Sequence, residues 1–215
     1  MRRILCTLSL VLCATARAAA PALPDDAFLV RQPAFTECEL ETFIALNSSR
    51  NAMAFGTPRE KALTPTEPPL LASTVEIIES AYTRMRQENL RDYYRFTAEH
   101  FLQCAARRQL PVPAADVTKA CVARQDIVFL LTVHRTAKLS QAEAITKVQA
   151  ELTPRSATVF PPALIASYGN MVYRGTPGGD DFELRRLVFE SCLFPDEWQA
   201  WWKNEQLRAT QRADR

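Results

Sequence analysis

The chain has 215 residues, a formal net charge of +2, 47% hydrophobic residues, and five glycines against fourteen prolines. That length supports one domain with its own core, and so little glycine argues against a turn-rich all-β fold and a Gly-rich phosphate loop. Without Arg2, Arg3 and Arg17 the rest of the chain is near −1, so there is no electrostatic case for nucleic acid.

Residues 1–18 read as a secretory signal peptide. Arg2 and Arg3 form a positive start, Ile4–Ala14 is a short apolar run, and Ala16-Arg17-Ala18 places small residues at a cleavage site near Ala18. The apolar run is too short for a membrane span, and no later segment is long enough, so the expectation is a periplasmic or secreted chain without a transmembrane anchor. Neither Cys6 nor Cys13 has a small residue before it, which argues against lipidation. Export leaves Cys38, Cys104, Cys121 and Cys192, an even set that predicts two disulfides in an oxidising compartment.

Residues 19–35 form an extended Pro/Ala-rich lead-in, and 36–207 carry the helical signals. Thr36-x-x-Glu39, Ser73-x-x-Glu76 and Ser140-x-x-Glu143 are capping-box patterns that predict three helix starts. The first helix is expected to fade near Asn47-Ser48-Ser49. A proline-rich loop should follow over 49–72, a length often reserved for function. From 73 the apolar spacing is helical up to the Leu110-Pro111-Val112-Pro113 break. A second arm starts at Ala115 or Asp116. Its run IVFLLTV (127–133) has strand-like composition but lies among helix formers, so a buried helix is predicted. Pro161-Pro162 opens a further helix. The loop from Gly175 to Asp181 precedes another, its two aspartates acting as a cap rather than an anion cradle. A short helix holds Trp198, Trp201 and Trp202, and 208–215 is a charged tail. The prediction is an all-α single-domain bundle of seven or eight helices.

Cys104 and Cys121 are symmetric about the proline break. An antiparallel hairpin there would pair Cys104–Cys121 and leave Cys38–Cys192 as the long-range link. The alternative is Cys38–Cys104 with Cys121–Cys192. The same register sets His100 beside Asp126, a candidate base with its orienting carboxylate; a structural ion pair is the commoner outcome for such residues. His134 reads as a core or boundary histidine. No metal-ligand spacing occurs, and no cofactor or metal is expected. Trp198, Trp201 and Trp202 share one helical face, a weak candidate for contact with an envelope protein or a glycan, against simple packing. Tyr93 and Tyr94, flanked by Arg91 and Arg95, are a second such face.

The signal segment, Cys121, the stretch HRTAKLSQAEA (134–144), Met171-Val172-Tyr173 and Cys192 together resemble small disulfide-containing bacterial periplasmic proteins of unassigned function. The resemblance spans roughly 100–192 and implies a helical envelope domain without a known activity. Helical immunity proteins against type VI secreted amidases share the gross features, although their Cys-x-Gly-Tyr helix start is absent here. Three expectations follow. The leading one is an exported binding or interaction protein of the envelope. The others are an envelope-acting hydrolase or transferase using His100 and Asp126, and an immunity or inhibitor protein against a secreted toxin.

Overall fold

A computed structural model describes residues 32–64, 69–88, 90, 92–174, 181–200 and 203. The signal segment, most of the lead-in, Arg91, the loop at 175–180, Trp201, Trp202 and the tail therefore lie outside the described residues. Within them the fold is all-α, without strands: α1 (Pro33–Met53), α2 (Arg59–Ala62), α3 (Ala72–Tyr82), α4 (Tyr93–Arg107), α5 (Ala115–Thr136), α6 (Gln141–Leu152), α7 (Pro162–Arg174) and α8 (Asp181–Leu193). A π-helical turn, Thr83–Gln87, prolongs α3, and residues 195–200 are again helical.

The core is built by α1, α4, α5 and α8. Helix α4 runs back along α1, α5 folds back onto α4, and α8 runs back along α5. Helix α3 packs on α1, while α6 and α7 pack on each other and on α5. Three apolar clusters fill the interior. Phe35, Leu46, Phe101 and Phe189 surround the disulfides; Ile127, Leu131, Leu152 and Ile165 join α5 to α6 and α7; Ala45, Ile78, Tyr82 and Phe96 seat α3.

Local chemistry explains where the elements differ from expectation. Helix α1 starts at Pro33, whose missing N–H costs nothing at a helix start, so Thr36 is not its cap. It runs past Asn47-Ser48-Ser49 to Met53. The Thr42 hydroxyl donates to the Cys38 carbonyl at 2.6 Å and that of Ser49 to the Ala45 carbonyl at 2.7 Å, so buried hydroxyls are satisfied without breaking the helix. Helix α3 is preceded by Leu71 and makes no side-chain cap at Ser73. The expected capping box at Ser140 and Glu143 is present in both directions. Helices α4 and α5 end on left-handed Gln109 (φ 54°) and Lys138 (φ 62°) rather than on glycine. The Leu110 amide then reaches back to the Ala105 carbonyl at 2.9 Å and the Leu139 amide to that of His134 at 3.1 Å. The run 127–133 is helical as expected, with Ile127, Val128 and Leu131 fully buried.

The cysteine pairing is the expected alternative, not the favoured hairpin staple. Cys38 bonds Cys104 and Cys121 bonds Cys192, each with Cα atoms 5.5 Å apart. Helices α4 and α5 pack on each other, and each also packs on a further core helix, α1 and α8 respectively. Cys104 turns from α4 towards α1 and Cys121 turns from α5 towards α8, so the bonds tie α1 to α4 and α5 to α8. No helix of the described residues is long and apolar enough to cross a membrane.

Candidate functional site

A buried polar cluster centres on Asp126 of α5, which is 3% exposed. Arg50 of α1 pairs with its Oδ1. From the first turn of α4, the Tyr93 hydroxyl donates to Oδ2 at 2.7 Å and the Tyr94 hydroxyl at 2.5 Å. Asp92 caps that turn by accepting the Arg95 amide at 3.0 Å, which fixes the helix start and delivers both tyrosines to one carboxylate. Burial, then the neighbouring Tyr93, holds the Tyr94 hydroxyl well above its ordinary pKa, and burial lowers that of Arg50. With both oxygens engaged by a cation and two phenols, Asp126 acts as an acceptor hub and not as a proton shuttle.

His100 is not brought to Asp126. It lies two turns beyond Tyr93 on α4, about 10 Å along the axis at 1.5 Å per residue. Its Nε2 is 3.4 Å from Glu41 Oε2 on α1, and Arg107 Nη2 is 3.3 Å from the same oxygen. Burial is the largest influence and lowers the histidine's pKa; Glu41 opposes it and Arg107 adds to it. His134 is partly buried, as expected of a boundary histidine.

A second buried cluster links α1 to α8. Glu39 and Glu190 are each 1% exposed, and Arg186 Nε lies 3.2 Å from Glu190 Oε1 and 3.9 Å from Glu39 Oε2. Burial first, then the charge of Glu190, pushes the Glu39 carboxyl up to about 9, with Arg186 opposing. At neutral pH Glu39 is therefore protonated and hydrogen-bonded to Glu190, a two-carboxylate unit sharing a proton beside one cation. Two buried carboxylates are a common acid–base arrangement, but these face a helix interface and not a cleft.

The open surface lies at the far end of α1. The Arg50 guanidinium sits 4.0 Å from the Phe129 ring centre, and Arg185 of α8 sits 4.7 Å over Phe43. Asn47 Oδ1 accepts from both arginines, at 3.3 Å from Arg50 and 3.2 Å from Arg185. Beside them Phe129, Thr132, Val133, Thr136 and Arg185 line a depression of about 380 Å³. Phe55, 58% exposed, stands 6.3 Å from Phe129 ring to ring, and Val133 is 44% exposed. The result is an apolar shelf edged by arginines whose stems and faces are already stacked on aromatic rings.

Of the expected aromatic face, Trp198 is buried at 9% exposure; Trp201 and Trp202 lie outside the described residues. Among the described residues no group of three or more His, Cys, Asp or Glu gathers for a metal ion. Arg50 and Arg185 were not singled out from the sequence, and Glu39 was read only as part of a capping box that does not form. A signal existed for two of them. Glu39, Phe43, Leu46 and Arg50 follow one another at helical spacing on the face that α1 buries, so two charges stood on the core stripe. No family model, no curated protein and no solved structure matches the chain.

Proposed function

We propose that the chain is an exported helical protein of the periplasm, akin to other small disulfide-bearing envelope proteins, and that it works by binding an envelope protein rather than by catalysis. The observation that carries the binding part is the apolar shelf of exposed Phe55 and Val133 and half-buried Phe129 beside the 380 Å³ depression. A large apolar side chain left in water next to a cavity is what a helix or loop of a partner covers on docking. The candidate acids and bases have structural partners: Asp126 is held by Arg50, Tyr93 and Tyr94, and His100 by Glu41. Export is supported by the signal-like segment before residue 19 and by two disulfides that close a core without a membrane span.

Expression of the whole chain in a bacterial host tests export. A product trimmed near Ala18 and recovered from the periplasm is expected; an untrimmed product held inside the cell overturns it. The binding part is tested with the trimmed chain as bait in envelope extract, alongside Phe55→Ser and Val133→Asp. The wild type should retain a protein that both variants lose at unchanged helicity. Equal retention by all three, or none by the wild type, overturns the shelf as the binding face.

A further inference from the structure

The two disulfides are not equivalent. Cys38 and Cys104 are both at 0% exposure, enclosed by Phe35, Leu46 and Phe101. In the second bond Cys121 is buried, but Cys192, in the last turn of α8, is only partly buried. Arg124, one turn after Cys121 on α5, points its Nη1 at the Cys192 sulfur at 3.4 Å. The Arg124 Nε has no hydrogen-bond partner among the described residues, and none of the ion pairs found there neutralises this guanidinium. Of the four bonded cysteines, the least buried is thus also the one whose sulfur faces a cation.

We propose that Cys192 is a thiol–disulfide exchange site, and that the Cys121–Cys192 bond is opened by a dithiol reductant while Cys38–Cys104 stays closed. The attacking group must be a thiolate, and the negative charge it brings is spread over three sulfurs in the transition state. The Arg124 guanidinium, set at the sulfur under attack, attracts the incoming anion and lies beside the terminal sulfurs that carry most of the charge in the transition state. Access fixes the direction. The reductant's thiolate attacks Cys192 Sγ, the new bond joins reductant to Cys192, and Cys121 leaves as thiolate. The reductant's second thiolate then attacks its own bridged sulfur and releases Cys192. The dithiol loses two electrons and becomes a disulfide; Cys121 and Cys192 gain them and take up the two protons. The step unties the end of α8 from α5, while Val188 and Phe189 stay in the core.

The test uses the folded full chain without denaturant. It is exposed to graded dithiothreitol, alkylated, and its four cysteines are assigned by peptide mass. Cys121 and Cys192 are expected to label together at reductant levels that leave Cys38 and Cys104 protected. Concerted labelling of all four, or earlier labelling of Cys38 and Cys104, overturns the proposal. Arg124→Gln should slow the opening several-fold and Arg124→Lys should restore most of it; an unchanged rate in Arg124→Gln overturns the role of the cation. A readout free of any variant is the wild-type rate with mercaptoethanesulfonate against that with cysteamine. The anionic thiol should gain on the cationic one relative to their rates on the urea-unfolded chain, and the gain should shrink with salt. No gain overturns the electrostatic argument.

Discussion

At the scale of single residues, the molecule places charge in its interior and then satisfies it. Arg50 and Asp126 are both almost fully buried, so each depends on the other. Desolvation makes a half-broken pair worse than no pair: Asp126→Asn should cost about 3–5 kcal/mol of unfolding free energy in urea titration, because Arg50 is left without a counter-charge. Tyr93→Phe removes one hydrogen bond to the charged acceptor and should cost less, about 1.5–3 kcal/mol. Gln125 shows the opposite case. It is fully buried and neither amide atom has a hydrogen-bond partner among the described residues, so its dehydration is uncompensated there. Gln125→Met keeps a flexible side chain of similar length and should raise the urea midpoint; a lower midpoint would mean that the amide has a partner in solution. These residues also mark the limit of what composition reveals. Arg50 was expected in a surface loop, although its spacing from Phe43 and Leu46 fits the buried stripe of α1; which acid meets it depends on how α4 and α5 dock, and pairwise docking is not written in any one helix.

At the scale of elements the hydrophobic period was legible, whereas of the three expected capping boxes only that at Ser140 forms. The Ser140 capping box and the helix over 127–133 follow from local pattern and both occur, although Val133 at the end of that run is exposed. Helix ends without glycine were not legible, since Gln109 and Lys138 take left-handed conformations that ordinarily favour glycine or asparagine. The α1–α8 contact carries a pH prediction. Glu39 titrates near 4.5 when unfolded and at about 9 when folded. The native state therefore binds more protons than the unfolded chain between those values. Its contribution is full below about 4.5 and is lost as pH rises to about 9. Glu39→Gln, which keeps a donor towards Glu190, should flatten that decline, so the variant should gain on the wild type in urea midpoint at pH 9 relative to pH 6. An equal slope in both proteins would place the proton elsewhere. The α6–α7 contact carries another. A Cβ on Gly169 would lie 2.5 Å from Ile145 Cγ1, so glycine permits the close approach. Gly169→Ala should destabilise by about 1–3 kcal/mol through overpacking, and adding Ile145→Ala should cost less than the two single changes together.

At the scale of the whole molecule, the two disulfides divide the chain into consecutive closed halves. The bonds span separations of 66 and 71 residues and do not overlap in sequence. In the chain-entropy model loops of that size contribute about 4 kcal/mol each. The number of bonds was readable from an even cysteine count, but the partners were not. Symmetry about the prolines treats α4 and α5 as an isolated pair, whereas α4 has α1 on its other side and α5 has α8. The α4–α5 contact also runs at a different register, with Tyr93 and Tyr94 meeting Asp126. The connectivity has a consequence that a gel can read. Arg107 and Arg108 are exposed beside the turn between Cys104 and Cys121. Brief trypsin treatment that cuts only after these arginines should give two fragments, each closed by its own disulfide. After denaturation without reductant, and with free thiols blocked, the fragments should separate. Cys104–Cys121 and Cys38–Cys192 would instead hold them together through two bonds until reductant is added. Under native conditions the cut chain should stay assembled, because α1 still packs on α8 through Phe43 and Phe182 at 4.6 Å and through the Glu39, Arg186 and Glu190 cluster, none of which the cut touches.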